Sequence, residues 1–155
     1  LGIRAEDLAS QYAVSLWFWN GMPAAGREVA GWLYSRDHDG GVSRFGEHLG
    51  IGGSSGNTGR LIFQSGVGEV LAGSTEIARW TWNHVLLVRD GERLLVYLNG
   101  KPELSGRAAE VSIPQLWLGG RSDSSANWEG RLDEPAIFDR ALTADEAAQL
   151  AGISP

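Results

Sequence analysis

The chain has 155 residues, a net charge of −6 and no cysteine. This length corresponds to about one domain with a buried core, and the lack of cysteine excludes disulfides and thiol chemistry. Lys101 is the only lysine and the arginines form no cluster, so we expect no nucleic-acid surface. No apolar run approaches the roughly 20 residues of a membrane-spanning helix, so we expect no membrane insertion. Because Leu1 is not a start methionine, we expect residues 1–155 to be one domain excised from a larger protein.

Short apolar segments separated by glycine run through most of the chain. In the first of them, Val14, Leu16 and Phe18 share one face of a strand, while the residues between them point the other way. Four further strand candidates follow before the middle of the chain, at residues 29–34, 49–51, 61–64 and 69–72.

The clearest β pattern is "WNHVLLVRDGERLLVYLNGK", residues 82–101. The pairs Asp90-Gly91 and Asn99-Gly100 are favoured in tight hairpin turns, because their central residues tolerate a positive φ. The segment therefore predicts a three-stranded meander. Residues 114–120 and 130–140 are the last two strand candidates.

Only the end of the chain has a helical pattern. Thr143 is a good N-cap, and Glu146 three residues later completes a capping box. Gly152 is placed to end the helix, and Leu142 and Leu150 lie on its apolar face. Many short strands with glycine-rich turns, followed by one helix, predict an all-β fold: a two-sheet antiparallel sandwich with a short C-terminal helix.

Four segments, in this order, resemble bacterial laminin-G-like domains of the concanavalin A-like lectin/glucanase superfamily. They are "YAVSLWFWN", the 82–101 segment, "LWLGG" and "EGRLDEPAIFDRALTADEAAQL", and together they span residues 12–150. The resemblance implies a jelly-roll sandwich that serves as a binding or accessory module for glycans or proteins. It also implies a secreted or cell-surface location. Members of this family have an extra opening strand, and we expect either that this strand has been trimmed or that residues 2–8 do part of its work.

No catalytic constellation is predicted. Asp133 and Glu134 are adjacent, so in a regular strand their carboxylates point to opposite faces, whereas a retaining glycosidase needs two carboxyl groups roughly 5 Å apart. We expect Glu134 to pair with a cation such as Arg140 or to cap the final helix. Residues 52–56, "GGSSG", match a nucleophile elbow, but no helix is predicted after them. His84 is expected to be a packed, hydrogen-bonded core residue.

Two polar loops, residues 36–48 and 121–128, are called the rim loops here. The first contains most of "SRDHDGG", which either binds a ligand or is simply a polar turn. Calcium prefers several oxygen ligands, and the family resemblance implies Asp37, Asp39 and Asp123 as its candidate ligands. The candidate ligand-binding residues of the rim loops are Arg36, Asp37, Asp39, Asp123, Asn127 and Trp128.

Seven tryptophans are many for this length, and exposed tryptophans stack well on sugar rings. Most of them lie at alternating strand positions and are expected in the core, whereas Trp128 first and Trp80 second are the ones expected to be partly exposed. We therefore expect a non-catalytic binding module that recognises carbohydrate through the rim loops, with calcium as a possible cofactor. The alternative is a structural or protein-interaction domain with no small ligand, which an exposed apolar patch on a sheet face favours.

Overall fold

The computed structural model describes residues 1–5, 8–38, 42–66, 68 and 70–152, and these form two antiparallel sheets. The strands are β1 (Gly2–Arg4), β2 (Gln11–Asn20), β3 (Val29–Arg36), β4 (Glu47–Gly52), β5 (Leu61–Ser65), β6 (Val70–Ala72), β7 (Trp82–Asp90), β8 (Arg93–Leu98), β9 (Lys101–Arg107), β10 (Gln115–Leu118) and β11 (Gly130–Phe138). The helix α1 spans Ala144–Leu150. One sheet has the order β1-β10-β3-β4-β5-β6 and the other has the order β11-β2-β7-β8-β9. The predicted two-sheet sandwich with one short C-terminal helix is confirmed.

The 82–101 segment forms the predicted meander, because β7 pairs with β8 and β8 pairs with β9. Gly91, Asn99 and Gly100 have the positive φ values that the turns between these strands need. At the other end of the chain, β1 pairs with β10, so residues 2–4 supply part of the expected opening strand. The strand candidate at 69–72 begins at Val70, since Glu69 lies outside the described residues.

The core lies between the two sheets. Val14, Leu16 and Phe18 all belong to it, as their alternation predicts, and Leu49 and Phe63 face them from the six-stranded sheet. The residues of β2 and β7 on the other side of the five-stranded sheet meet the helix instead. This second cluster consists of Ala13, Leu86, Val88, Tyr97, Leu142 and Ala147, with Leu150 packed against it.

A buried polar cluster also joins the sheets. Glu47 of β4 is fully buried and forms an ion pair with Arg89 of β7, at 3.2 Å between Oε2 and Nε. Its other oxygen accepts hydrogen bonds from the hydroxyls of Tyr12 and Tyr34. Burial raises the pKa of Glu47 to about 7, although the Arg89 guanidinium opposes the shift.

The capping box at the start of α1 is present in both directions. The Glu146 backbone N–H donates to Thr143 Oγ1 at 3.3 Å, and the Thr143 N–H donates to Glu146 Oε2 at 2.8 Å. Gly152 ends the helix region with a φ of 67°. No helix in the described ranges is long and apolar enough to cross a membrane.

We expect Thr143→Ala to lower the free energy of unfolding by about 1 kcal/mol, because it leaves the Glu146 N–H without its cap. Thr143→Ser is the matched control, since it keeps the accepting oxygen. Urea unfolding of the three proteins measures the effect. Identical midpoints for the Ala and Ser variants would show that the cap does not stabilise the domain.

Candidate functional site

The rim loop 121–128 pairs with β3 beyond the point where β10 ends. The Trp32 N–H donates to the Ala126 carbonyl at 3.0 Å, and Trp32 forms a parallel bridge with Asn127. Ser124 and Ala126 have φ values of 58° and 46°, a left-handed conformation that costs a non-glycine residue energy. The fold therefore holds this loop in one strained shape against the sheet.

A pocket of about 340 Å³ lies between this loop and the outer side of the six-stranded sheet. Leu49 points into the core, so its neighbour His48 faces outward, together with its strand partner Gln64. Gly50 leaves room on this side for the Trp32 ring, because a Cβ there would lie 2.7 Å from Trp32 Cε3. The pocket is lined by Arg27, Glu28, Val29, Trp32, Gln64, Arg121, Ser125 and Ala126.

The two rim loops meet at His48. Its Nε2 lies 3.6 Å from Asp37 Oδ2 of the first loop, and its ring is 5.5 Å from that of Trp32. The Arg121 guanidinium of the second loop lies 5.1 Å from the centre of the Trp32 ring. Burial lowers the pKa of His48 to about 4; Arg121 acts in the same direction, while Asp37 and Asp123 oppose it. His48 is therefore neutral at pH 7.

Arg36, a predicted ligand contact, is buried and serves the fold. It lies on the inner side of β3, since its strand partner is the buried Glu47. Its guanidinium donates to the carbonyls of Ile113 at 2.6 Å and Leu8 at 2.7 Å, and it covers the ring of Tyr12. A ligand at the surface cannot reach this side chain, so the structure gives Arg36 a different role.

The carboxylates of the predicted calcium set are engaged by protein donors. Asp37 is buried and accepts from the N–H groups of His38 and Ser43 and from the Ser43 hydroxyl. Asp123 accepts two hydrogen bonds from Arg121 and one from the Ser125 N–H.

Two carboxylates alone are too few for a calcium ion, which takes six to eight oxygen ligands. Within the described ranges, no group of three or more His, Asp or Glu side chains is suited to hold a metal ion. Asp39 lies outside the described residues, so the set Asp37, Asp39 and Asp123 stays a prediction.

Trp128 is partly exposed, as expected, although it also packs against the core. Trp128 is half-buried against the core, edge-on to Phe18 at 5.7 Å, and it fills the space above Gly31, where a Cβ would lie 2.7 Å from its ring. Its neighbour Asn127 is exposed and belongs to a separate polar pocket with residues 117–122. The most exposed tryptophans are Trp80 at 64% and Trp82 at 40%; only the first was expected.

Asp133 and Glu134 do not lie in the regular strand for which opposite faces were expected. Both line a pocket of about 330 Å³ with Trp17 and Trp82, on the outer side of the five-stranded sheet. Strand β11 is irregular there, because its register with β2 shifts between Asp133 and Ala136. Glu134 does not pair with Arg140, whose guanidinium binds Glu146 instead. His84 is packed and hydrogen-bonded as expected, with its Nε2 2.8 Å from Ser15 Oγ.

A laminin G family model, described as "Concanavalin A-like lectin/glucanases superfamily", matches residues 3–148. Domain 4 of an extracellular arabinanase from Geobacillus stearothermophilus, in complex with arabinotriose, is similar in structure. Its TM-score is 0.69 at 24% identity, covering 97% of this chain and 72% of that one.

A CBM40 domain of a Ruminococcus gnavus sialidase, bound to α2,3-sialyllactose, has a TM-score of 0.71 at 17% identity, covering 95% of this chain and 85% of that one. Domains LG4-5 of the mouse laminin α1 chain have a TM-score of 0.64 at 17% identity, covering 94% of this chain and 40% of that one. At these identities the likeness shows the fold. No curated protein sequence matches the chain.

The lowered pKa of His48 predicts that the free energy of unfolding depends on pH. Its pKa is about 4 in the fold and 6.5 ordinarily, so its contribution is present above pH 6.5 and is lost as the pH falls towards 4. We expect His48→Gln to reduce this loss by up to about 3 kcal/mol. Urea unfolding at pH 7 and pH 4.5 measures it, with the exposed His38→Gln as the matched control. If His48→Gln lost as much stability between pH 7 and pH 4.5 as the wild type, His48 would not be a neutral, buried residue.

Proposed function

Because the chain belongs to the concanavalin A-like lectin/glucanase superfamily, we propose that it is a non-catalytic carbohydrate-binding module. The observation that carries the proposal is the pocket between the rim loop 121–128 and the outer side of the six-stranded sheet. Its volume of about 340 Å³ falls in the range of small-ligand sites, roughly 300–1,000 Å³.

The chemistry of the pocket suits sugar hydroxyls, which both donate and accept hydrogen bonds. Arg27 and Arg121 provide donors, Glu28 provides acceptors, and the Gln64 amide provides both. Arg27 is positioned by its own bonds to the Ala30 and Asn127 carbonyls. Polar groups held in place before the ligand arrives lose little conformational entropy on binding, which favours affinity.

Two further observations support the proposal. The strained backbone at Ser124 and Ala126 is of the kind that persists where a site requires it. The arabinanase domain and the CBM40 domain, which share this fold, each carry a bound oligosaccharide. The first belongs to an extracellular enzyme, and we extend the proposal to a secreted or cell-surface location for this chain.

We expect Gln64→Ala to weaken glycan binding by about tenfold, because it removes hydrogen bonds from a partly exposed side chain without touching the core. Gln149→Ala on the exposed side of α1 is the matched control. Binding is measured by isothermal titration calorimetry with arabinotriose, with α2,3-sialyllactose and with the strongest ligand from a glycan array.

Equal affinity in wild type and Gln64→Ala would place the sugar elsewhere. If no glycan binds, the protein-interaction class replaces this proposal, because Trp80 and Trp82 then remain as exposed apolar surface. Hydrolysis of a glycan that is lost in Asp133→Asn would contradict a non-catalytic domain.

We further propose that calcium assists this binding, and thermal unfolding of metal-stripped protein with calcium or with EDTA tests this. A ligand that binds only the folded state raises its stability, by about 2.7 kcal/mol at a hundredfold excess over Kd. If Asp39 completes a site with Asp37 and Asp123, calcium raises the Tm, and Asp39→Ala abolishes the rise. Equal Tm values in calcium and EDTA would remove calcium from the proposal.

A further inference from the structure

Within the described part of the chain, the helix covers one end of the outer side of the five-stranded sheet and leaves the other end uncovered. Helix α1 packs over Ala13 and Val88. Further along the same strands, Trp17 is paired with His84 and Trp19 is paired with Trp82, and these side chains lie beyond the cluster that the helix covers. This uncovered end carries the pocket of Trp17, Trp82, Asp133 and Glu134, called the tryptophan pocket here.

A bulge in β11 builds the acidic side of this pocket. Asp133 is paired with Trp17, whereas the next registered pair is Ala136 with Ser15, so the pleat is interrupted between them. Glu134 has a φ of 48°, and its N–H donates to Asp133 Oδ1 at 2.9 Å. Two adjacent acidic residues, whose side chains a regular strand would separate, therefore both line one pocket.

Nothing in the described part of the chain neutralises these carboxylates by an ion pair. His84 lies below, edge-on to Trp17 at 5.3 Å, and it is almost fully buried. Burial lowers the pKa of His84 to about 4, so the imidazole is uncharged at pH 7. The pocket therefore combines a net negative charge with two tryptophan rings.

The neighbouring tryptophans already bind cations. The Arg131 guanidinium lies 5.3 Å from the centre of the Trp19 ring, and that of Arg79 lies 4.3 Å from the centre of the Trp80 ring. Among the described residues, no Arg or Lys lies over Trp17 or Trp82 in the same way. Tryptophan is the aromatic side chain that attracts cations most strongly, so these two rings are available to an external cation.

We propose that the tryptophan pocket binds the alkylammonium group of a small organic cation. The ring faces of Trp17 and Trp82 attract the cation, and Asp133 and Glu134 supply the opposite charge; this is the chemistry of aromatic sites for quaternary ammonium groups. The site is separate from the pocket at rim loop 121–128 and shares none of its lining residues. It therefore does not depend on carbohydrate binding there.

The test uses tetramethylammonium chloride as the probe and follows the indole N–H resonances of the seven tryptophans by NMR. We expect saturable shifts at Trp17 and Trp82. Sodium chloride at the same ionic strength and tert-butanol, a neutral molecule of similar shape, are expected to leave these resonances in place. Equal shifts with tert-butanol would show an apolar pocket without cation recognition and would overturn the proposal.

Two variants locate the site. Trp82→Ala removes an exposed ring, and Glu134→Gln removes a charge at constant size; each is expected to weaken tetramethylammonium binding by about tenfold. Glu110→Gln, an exposed carboxylate in the 108–113 segment, is the matched control. Unchanged NMR spectra away from the pocket show that the variants fold. Wild-type affinity in both pocket variants would overturn the proposal.

Discussion

The buried contact between Glu47 and Arg89 is the constraint on which the sandwich depends most directly. Glu47 belongs to the six-stranded sheet and Arg89 to the five-stranded sheet, so their ion pair ties the two sheets together at a fixed register. Charged groups are costly to bury unless they are paired and hydrogen-bonded. Tyr12 and Tyr34 complete the cluster by donating to the carboxylate, which leaves the glutamate with partners from three other strands.

Arginines of this region also tie the connecting segments to the sheets. Arg89 donates to the carbonyls of Ala108 and Ala109, and Arg36 donates to those of Ile113 and Leu8. Segments without regular structure have backbone carbonyls that need partners once they are buried. The planar guanidinium, with five donors, satisfies several such carbonyls at once. Arginines that the sequence alone suggests are at the surface therefore stabilise the interior of the fold.

The inner sides of both sheets form the core, so a ligand can bind only at the two outer sides or at the loops. Loop 121–128 covers part of the outer side of the six-stranded sheet, and a polar pocket lined by Trp32 lies between them. The outer side of the five-stranded sheet is covered by α1 at one end and carries exposed tryptophans at the other. The backbone is strained beside each pocket, at Ser124 and Ala126 in one case and at Glu134 in the other.

Short-range features of the sequence were sufficient to predict much of the fold. The alternation in β2, the hairpin pairs at residues 90–91 and 99–100 and the capping box at Thr143 each act over a few neighbouring residues, and the structure contains all of them. The loop 121–128 was also predicted as part of the rim, and it forms one wall of a pocket. Residues such as Gln64 were missed, because nothing in a strand sequence marks which outward side chain a distant loop will cover.

What the sequence determined by itself was therefore the order and type of the elements, because hydrophobic period, turn residues and caps are short-range properties. Only the tertiary structure decided which polar side chains are free to bind. Arg36 and Asp37 are buried by contacts with segments far along the chain or across a loop, and Trp128 packs on Phe18 more than a hundred residues away. Asp133 and Glu134 share a pocket because a bulge changes the register of β11 against β2. Burial and register depend on long-range packing, and that packing places the functional surface.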